Sequence, residues 1–402
     1  MTTVNWKQNL FFVWLSQLLS TAGFGLCMPF IPLFMREVLK VEESVRGVYV
    51  SAFAFAGLTS LCIATALWGM LADRFGRKLM LLRANFGAAL LFPLLGFAPD
   101  VYTLIGIRFL SAFFSGTANP ARTLLLSTAP AEKHGYVLGV LSTASTSGHM
   151  IGYFCGGIIV ELSGYKAAFL SCGALYIAGG LLVQFFVKEN FSRPEIRAKK
   201  KIGKKSFSLQ DLASPAVAGI MVLFLLLGMA NRITQPFAAM LVEVVNGQKN
   251  AAFWTGTTSI IAASGGLLSG CLFGWISNKI RHFKLLLSAL AITVLLSFIL
   301  PFSGNIYMLV TIRFLSAMAN GCIHPLLMMW LSSSTDPELK GTYLGWGSSI
   351  HQAGGLVSAV LSGTVVWTCG VRGVYVTGAF LMFLMIPFII HMVKKQKSNS
   401  FT

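Results

Sequence analysis

A seven-residue string recurs about half a chain apart: Ile107-Arg108-Phe109-Leu110-Ser111-Ala112-Phe113 and Ile312-Arg313-Phe314-Leu315-Ser316-Ala317-Met318, at an offset of 205 residues. The same offset carries Gly69 onto Gly274, Gly116 onto Gly321 and Pro120 onto Pro325. One extra residue in between carries Gly135, Gly139, Gly148 and Gly164 onto Gly341, Gly345, Gly354 and Gly370, and Lys166 onto Arg372. A register kept over landmarks so far apart means that one structural unit is used twice. Any fold for this chain must therefore be built from two similar halves.

Composition decides which solvent those halves face. The chain is 55% hydrophobic and 11% charged with a mean hydropathy of +0.74, far below the roughly 25% charge of an ordinary soluble domain. Apolar stretches long enough to cross a hydrocarbon core read at 10–35, 47–71, 79–98, 103–128, 135–161 and 166–187, then at 215–241, 252–276, 285–302, 307–331, 341–367 and 373–392. The expectation is an all-α membrane protein with 12 transmembrane helices in two pseudo-symmetric six-helix bundles, 1–187 and 215–402, joined by a linker at 188–214.

The linker carries Lys188, Arg193, Arg197, Lys199, Lys200, Lys201, Lys204 and Lys205 against only Glu189 and Glu195. It has too little apolar surface to form a core. Flanked by spans, such a run is a topology signal and not a nucleic-acid site, so the net charge of +18 needs no polyanionic partner. With the N-terminus inside, most Lys and Arg fall on the cytoplasmic side. The outer loops then hold only Arg36, Lys40, Arg46, Lys166, Lys249 and Arg372, and Arg108, Arg232 and Arg313 fall inside spans. Both termini and the linker are expected in the cytoplasm. The first span lacks the charged start and small-residue cleavage site of a removable signal, so it is expected to stay in the mature protein. The seven cysteines show no ligand spacing and read as small packing residues, with no metal site.

The turn after the second span reads Gly69-Met70-Leu71-Ala72-Asp73-Arg74-Phe75-Gly76-Arg77-Lys78. Gly69 suits a close helix approach, Asp73 a helix-end charge, and Gly76 a backbone turn. These residues resemble the loop 2–3 signature of the major facilitator superfamily, and the resemblance extends over essentially the whole chain. It implies a gate in which Gly69, Asp73, Arg74, Gly76, Arg77 and Lys78 latch the two halves by charge pairing; a plain helix-end cap at Asp73 is the alternative. The second copy, Gly274-Trp275-Ile276-Ser277-Asn278-Lys279, is degenerate, with Asn278 in the place of Asp73.

On span 5, Gly139, Gly148, Gly152, Gly156 and Gly157 resemble the signature of the drug/proton antiporter branch, as does the opening Met28-Pro29-Phe30-Ile31-Pro32-Leu33. Three of these glycines stand four apart, on one helix face, where a neighbouring helix can pack backbone to backbone. The same face is also what any tight membrane interface would use. The branch's pattern has proline where Tyr153 stands here, which leaves the direction of transport open.

No Asp or Glu falls deep in a span, so the polar groups of the path are expected to be Arg108, Asn119, His149, Arg232, Arg313, His324 and His351. A charge inside a span costs about 2.5–3.5 kcal/mol on insertion scales, which favours a bundle-interior position. Arg108 resembles the superfamily's span 4 arginine, implied to act in proton coupling or cavity electrostatics. Arg108 and Arg313 lie near enough to the outer ends to snorkel to water instead. Histidine is the side chain that titrates in the physiological range, and His324, at the depth of Asn119 in the repeat, is the first candidate for a proton carrier. The alternative for each histidine is a hydrogen-bonded packing role.

There is no phosphate-binding Gly-x-x-x-x-Gly-Lys-Ser/Thr string and no nucleophile with a base, so the chain reads as a non-enzyme without cofactors. The resemblance implies a secondary active transporter, a monomer in the bacterial inner membrane. It would export drug-like or amphipathic small molecules in exchange for protons through a central cavity rich in Phe, Met and Trp. A carrier for an organic anion or metabolite, and a transport-inactive sensor on the same fold, are the rival readings.

Overall fold

The computed structural model of the chain describes residues 5–189, 215–276, 282–335 and 340–399. The residues 190–214, which hold most of the expected linker, and Asn278 of the second loop copy lie outside the described residues. Among those described, every regular element is helical. The first part of the chain forms α1 (Trp6–Cys27), α2 (Ile31–Glu37), α3 (Glu43–Phe75), α4 (Arg77–Leu94), α5 (Val101–Phe114), α6 (Ala118–Thr128) and α7 (His134–Phe186). The second part forms α8 (Pro215–Ile233), α9 (Ala238–Asn246), α10 (Ala251–Ile276), α11 (His282–Ile299), α12 (Ile306–Asn320), α13 (Ile323–Ser333) and α14 (Lys340–Asn399).

The sequence repeat returns as a repeat of interruptions. The 3-10 turn Met28–Phe30 separates α1 from α2, and Gln235–Phe237 separates α8 from α9, each with proline at its centre. Proline cannot donate the helical hydrogen bond, so each long apolar segment breaks there. Short 3-10 turns end α4 at Leu95–Phe97 and α11 at Leu300–Phe302. Asp100 and Asn305, 205 residues apart, then cap α5 and α12 by accepting the backbone N–H of Thr103 and of Met308, both at 2.8 Å. The Thr103 donors hold the exposed Asp100 carboxyl below the ordinary carboxylate range.

Nine helical stretches among the described residues are long and apolar enough to cross a membrane. Ala131–Phe186 (56 residues) and Lys340–Val393 (54 residues) are far longer than the roughly 20 residues one crossing needs. Each breaks at a glycine with positive φ: Gly164 at 79° and Gly370 at 66°. An L-residue would be strained in that conformation, so glycine is what permits the kink. Many large apolar side chains face outward, among them Leu90, Leu162, Phe185 and Leu295, as lipid-facing surfaces require.

Two compact units result. The first comprises Met1–Glu42, Phe53–Lys205 and Ala252–Ile260, the second Glu43–Ala52, Ser206–Ala251 and Ile261–Thr402. The first turns of α3 thus cluster with the second unit, and the first turns of α10 with the first. In the first unit Leu10, Val13, Leu81, Leu124, Val137, Leu141 and Val183 form a closed core around α1 and α7. A buried hydrogen bond from Ser20 Oγ to Asn85 Oδ1 (2.7 Å) ties α1 to α4. In the second unit α8 places Ile220, Leu223, Phe224 and Leu227 inside, and α14 contributes Val374, Ala379, Met385 and Ile389.

Candidate functional site

The basic turn between α3 and α4 is held by a residue from the stretch that the sequence assigns to the linker. Gly76 (φ 95°) closes α3 through its N–H to Ala72 and leads directly into α4. The first N–H groups of α4, on Arg77 and Lys78, donate to the two carboxylate oxygens of Glu189 at 3.0 and 2.8 Å. The Glu189 side chain is 7% exposed, with the Arg77 guanidinium 3.9 Å away. A carboxylate at a helix N-terminus satisfies otherwise orphaned donors and meets the positive end of the helix dipole. Lys78 Nζ donates to the Gln184 carbonyl at 2.9 Å, and Arg74 lies over the ring of Phe75. Asn9 grips the Lys188 backbone from α1 with bonds of 2.8 and 3.0 Å, so α1, α4 and the end of α7 meet at this turn. The side chain of Asp73 lies outside the described residues. Among the described residues, no atom lies within 4 Å of where a side chain on Gly69 would begin.

The glycines of α7 divide by face. A Cβ at Gly152 would stand 2.9 Å from the Cα of Gly25, and one at Gly156 would stand 2.8 Å from the Cα of Leu26, with Gly148 equally tight against Leu18 and Ala22. These three pack backbone to backbone on α1. Gly157 points instead at α10, with the Ala252 carbonyl 2.9 Å from its Cβ position, and a Cβ at Gly139 would meet none of the described residues outside its own helix within 4 Å. The repeat reproduces the crossing: Gly354 of α14 fits against Leu225 and Met229 of α8, and Gly228 fits against the backbone of His351.

Arg108 lies inside the first unit, its guanidinium 5.6 Å from the Phe24 ring centroid and 5.4 Å from that of Phe53. A side chain at Gly57 would collide with this guanidinium, so Gly57 makes the room for it. Its described neighbours are ring faces and not carboxylates; such contacts contribute about 0.5–2 kcal/mol each. His149 stands edge-on to Phe24 at 6.0 Å, next to Tyr153 at 5.7 Å, with Nδ1 2.7 Å from the Ser145 carbonyl. Arg108, Phe24, Phe53, His149 and Tyr153 therefore form one aromatic and cationic group. Asn119 lies in the first turn of α6, and the Thr123 hydroxyl donates to its carbonyl. A second basic side chain, Arg83, lies 3.8 Å from the Trp68 ring centroid, with that indole donating to Phe113 O at 2.8 Å.

In the second unit His324 of α13 and His351 of α14 meet edge to face, 5.0 Å between ring centroids, with Phe224 of α8 5.6 Å from His324. Arg232 acts electrostatically on His351 from α8 and bonds to Gln235 at 3.4 Å. Asn320 donates to Asn231 at 2.9 Å, linking α12 to α8. Arg313 sits beside Tyr375, whose hydroxyl donates to Thr234 O at 3.4 Å. Three of the residues singled out in the sequence thus come together here, whereas Arg313 has a separate partner.

Residues 13–304 and 272–400 match the family model of the Major Facilitator Superfamily. The chain is 30% identical over 391 residues to the multidrug resistance protein MdtG of Proteus mirabilis (strain HI4320), covering 95% of each chain. It is 30% identical over 406 residues to the multi-drug resistance efflux pump PmrA homolog of Lactococcus lactis subsp. lactis (strain IL1403), covering 99% of this chain and 98% of the relative. The fold is similar to the crystal structure of the nucleoside transporter NupG, with a TM-score of 0.75, 14% identity and 96% and 99% of the two chains covered. Family match, full-length relatives and duplicated helical frame agree: the chain belongs to the major facilitator superfamily, and is a membrane-embedded secondary transporter of small molecules, not an enzyme.

Proposed function

We propose that this protein exports drug-like, amphipathic small molecules in exchange for protons, as a monomer of twelve spans in a bacterial inner membrane with both termini cytoplasmic. The observation that carries the export reading is the near full-length similarity to two multidrug resistance relatives. The twelve crossings, in bundles 1–187 and 215–402 around the linker 188–214, are supported by the glycine breaks that cut α7 and α14 in two. Residues 69–78, with Asp73 as the acidic member, are the gate of this reading.

Proton exchange needs a group that titrates in reach of the path. His324 and His351, in ring contact between α13 and α14, are the groups that support this reading. Two imidazoles so placed repel when both are charged, so the pair favours carrying a single proton. His324 is the carrier and His351 the partner that sets its charge.

A second reading, an organic-anion or metabolite carrier, is favoured by Arg108 among rings. Susceptibility of cells with and without the protein, over a panel spanning anionic, neutral, monocationic and dicationic compounds, separates the two. Export predicts several-fold protection against neutral and anionic amphipaths and little against permanent dications, whose hydration no carboxylate in the path replaces. No protection against any compound, together with accumulation of an anion, would establish the second reading.

A further inference from the structure

Arg46 stands just before the apolar run 47–71, and Glu243 just after the run 215–241. The structure buries both. Arg46 lies in the first turn of α3 and Glu243 in the last turns of α9, and Arg46 Nη2 is 2.7 Å from Glu243 Oε2, with side chains 3% and 6% exposed. Close by, Ser51 and Ser362 share a buried hydrogen bond of 3.1 Å, and Gly47 packs on Val366. The first turns of α3 are thus held by α9 and α14, all within the second unit, whereas the rest of α3 belongs to the first.

A buried ion pair contributes little net stability compared with an apolar pair of the same size, because desolvation offsets the attraction. What it does supply is a sharp difference between two states: intact when dry, or separated into two hydrated charges. Arg46 also has a second carboxylate at hand. Glu43, on its own helix turn and 84% exposed, lies 3.8 Å from the same Nη2. Moving with Arg46, Glu43 can take over the guanidinium as Glu243 is left behind. The corresponding first turns of α10 are held differently, by Gly256 and Gly157 packing on Tyr153 and Ala252.

We propose that Arg46 and Glu243 are the latch that closes the outer end of the transport path, and that each transport cycle breaks it by passing Arg46 from Glu243 to Glu43. Which end is outer rests on the orientation proposed above; the latch itself does not. The test is the rate at which a membrane-impermeant maleimide labels Ser51→Cys on intact cells, in a Cys369→Ser background. With the pair intact labelling is slow. Glu243→Gln leaves Arg46 buried without its carboxylate, so the closed state is penalised and labelling accelerates about tenfold or more. Arg46→Glu combined with Glu243→Arg restores the slow rate. Unchanged labelling in Glu243→Gln, from either side of the membrane, overturns the latch and leaves the export reading standing. Acceleration seen only in inverted vesicles upholds the latch and overturns the orientation. Should Glu243→Gln not reach the membrane, the charge-exchanged pair decides: slow labelling supports the latch, fast labelling overturns it.

Discussion

The Glu189 carboxylate joins the end of α7 to the start of α4. It closes the first two N–H groups of α4 and faces Arg77 with almost no exposure to water. Glu189→Gln keeps an acceptor but removes the charge, and is expected to cost about 1–2 kcal/mol from the lost helix-dipole and ion-pair terms. A fall in the melting temperature of the purified protein checks this, and an unchanged value would contradict it. The sequence shows Glu189 only as one acid in a basic run, since nothing local reveals that the end of α7 returns to the start of α4. Arg108 is legible because a charge in an apolar run is conspicuous. Its partners Phe24 and Phe53 are not, being two among 32 phenylalanines with no distinguishing neighbourhood. The burial of Arg46 and Glu243 is not legible for a related reason: apolar runs end where hydropathy falls, but these helices continue past that point and bury the charged residues beyond it.

At the scale of elements, the crossing of α7 on α1 depends on backbone approach that only glycine allows. Gly152→Leu must push the helices apart at the point where Gly25 and Gly152 touch. It is expected to destabilise the protein by about 1–3 kcal/mol or more through overpacking. Gly139→Ala, with open space around it, should stay within about 0.5 kcal/mol of the unsubstituted protein. Thermal unfolding in detergent measures both, and equal effects would refute the division of faces. The four-residue spacing reveals this face from sequence, because helical periodicity maps spacing onto direction. It does not reveal which helix is met, nor that Gly157 turns to α10, since a repeat of small residues specifies a smooth surface and not a partner. Breaks at Gly164 and Gly370 are legible as gaps between apolar runs, and the structure adds their cause in positive φ.

For the whole molecule, duplication fixes the frame but not its chemistry. The two halves repeat their caps, proline breaks and glycine crossings, yet Arg108 meets phenylalanine rings whereas Arg313 meets Tyr375. Among the described residues the histidine pair likewise occurs in the second unit alone, formed by side chains from different helices that no spacing connects. On the function proposed above, such asymmetry would let one half carry the proton and the other hold substrate, and proton coupling is the claim on which that proposal depends. The most direct test uses proteoliposomes with an imposed gradient, acidic inside, and a labelled neutral amphipath as substrate. Uphill accumulation is expected with the unmodified protein, and none with His324→Gln, which should still exchange substrate downhill. Flux in the unmodified protein that ignores the gradient would contradict the account.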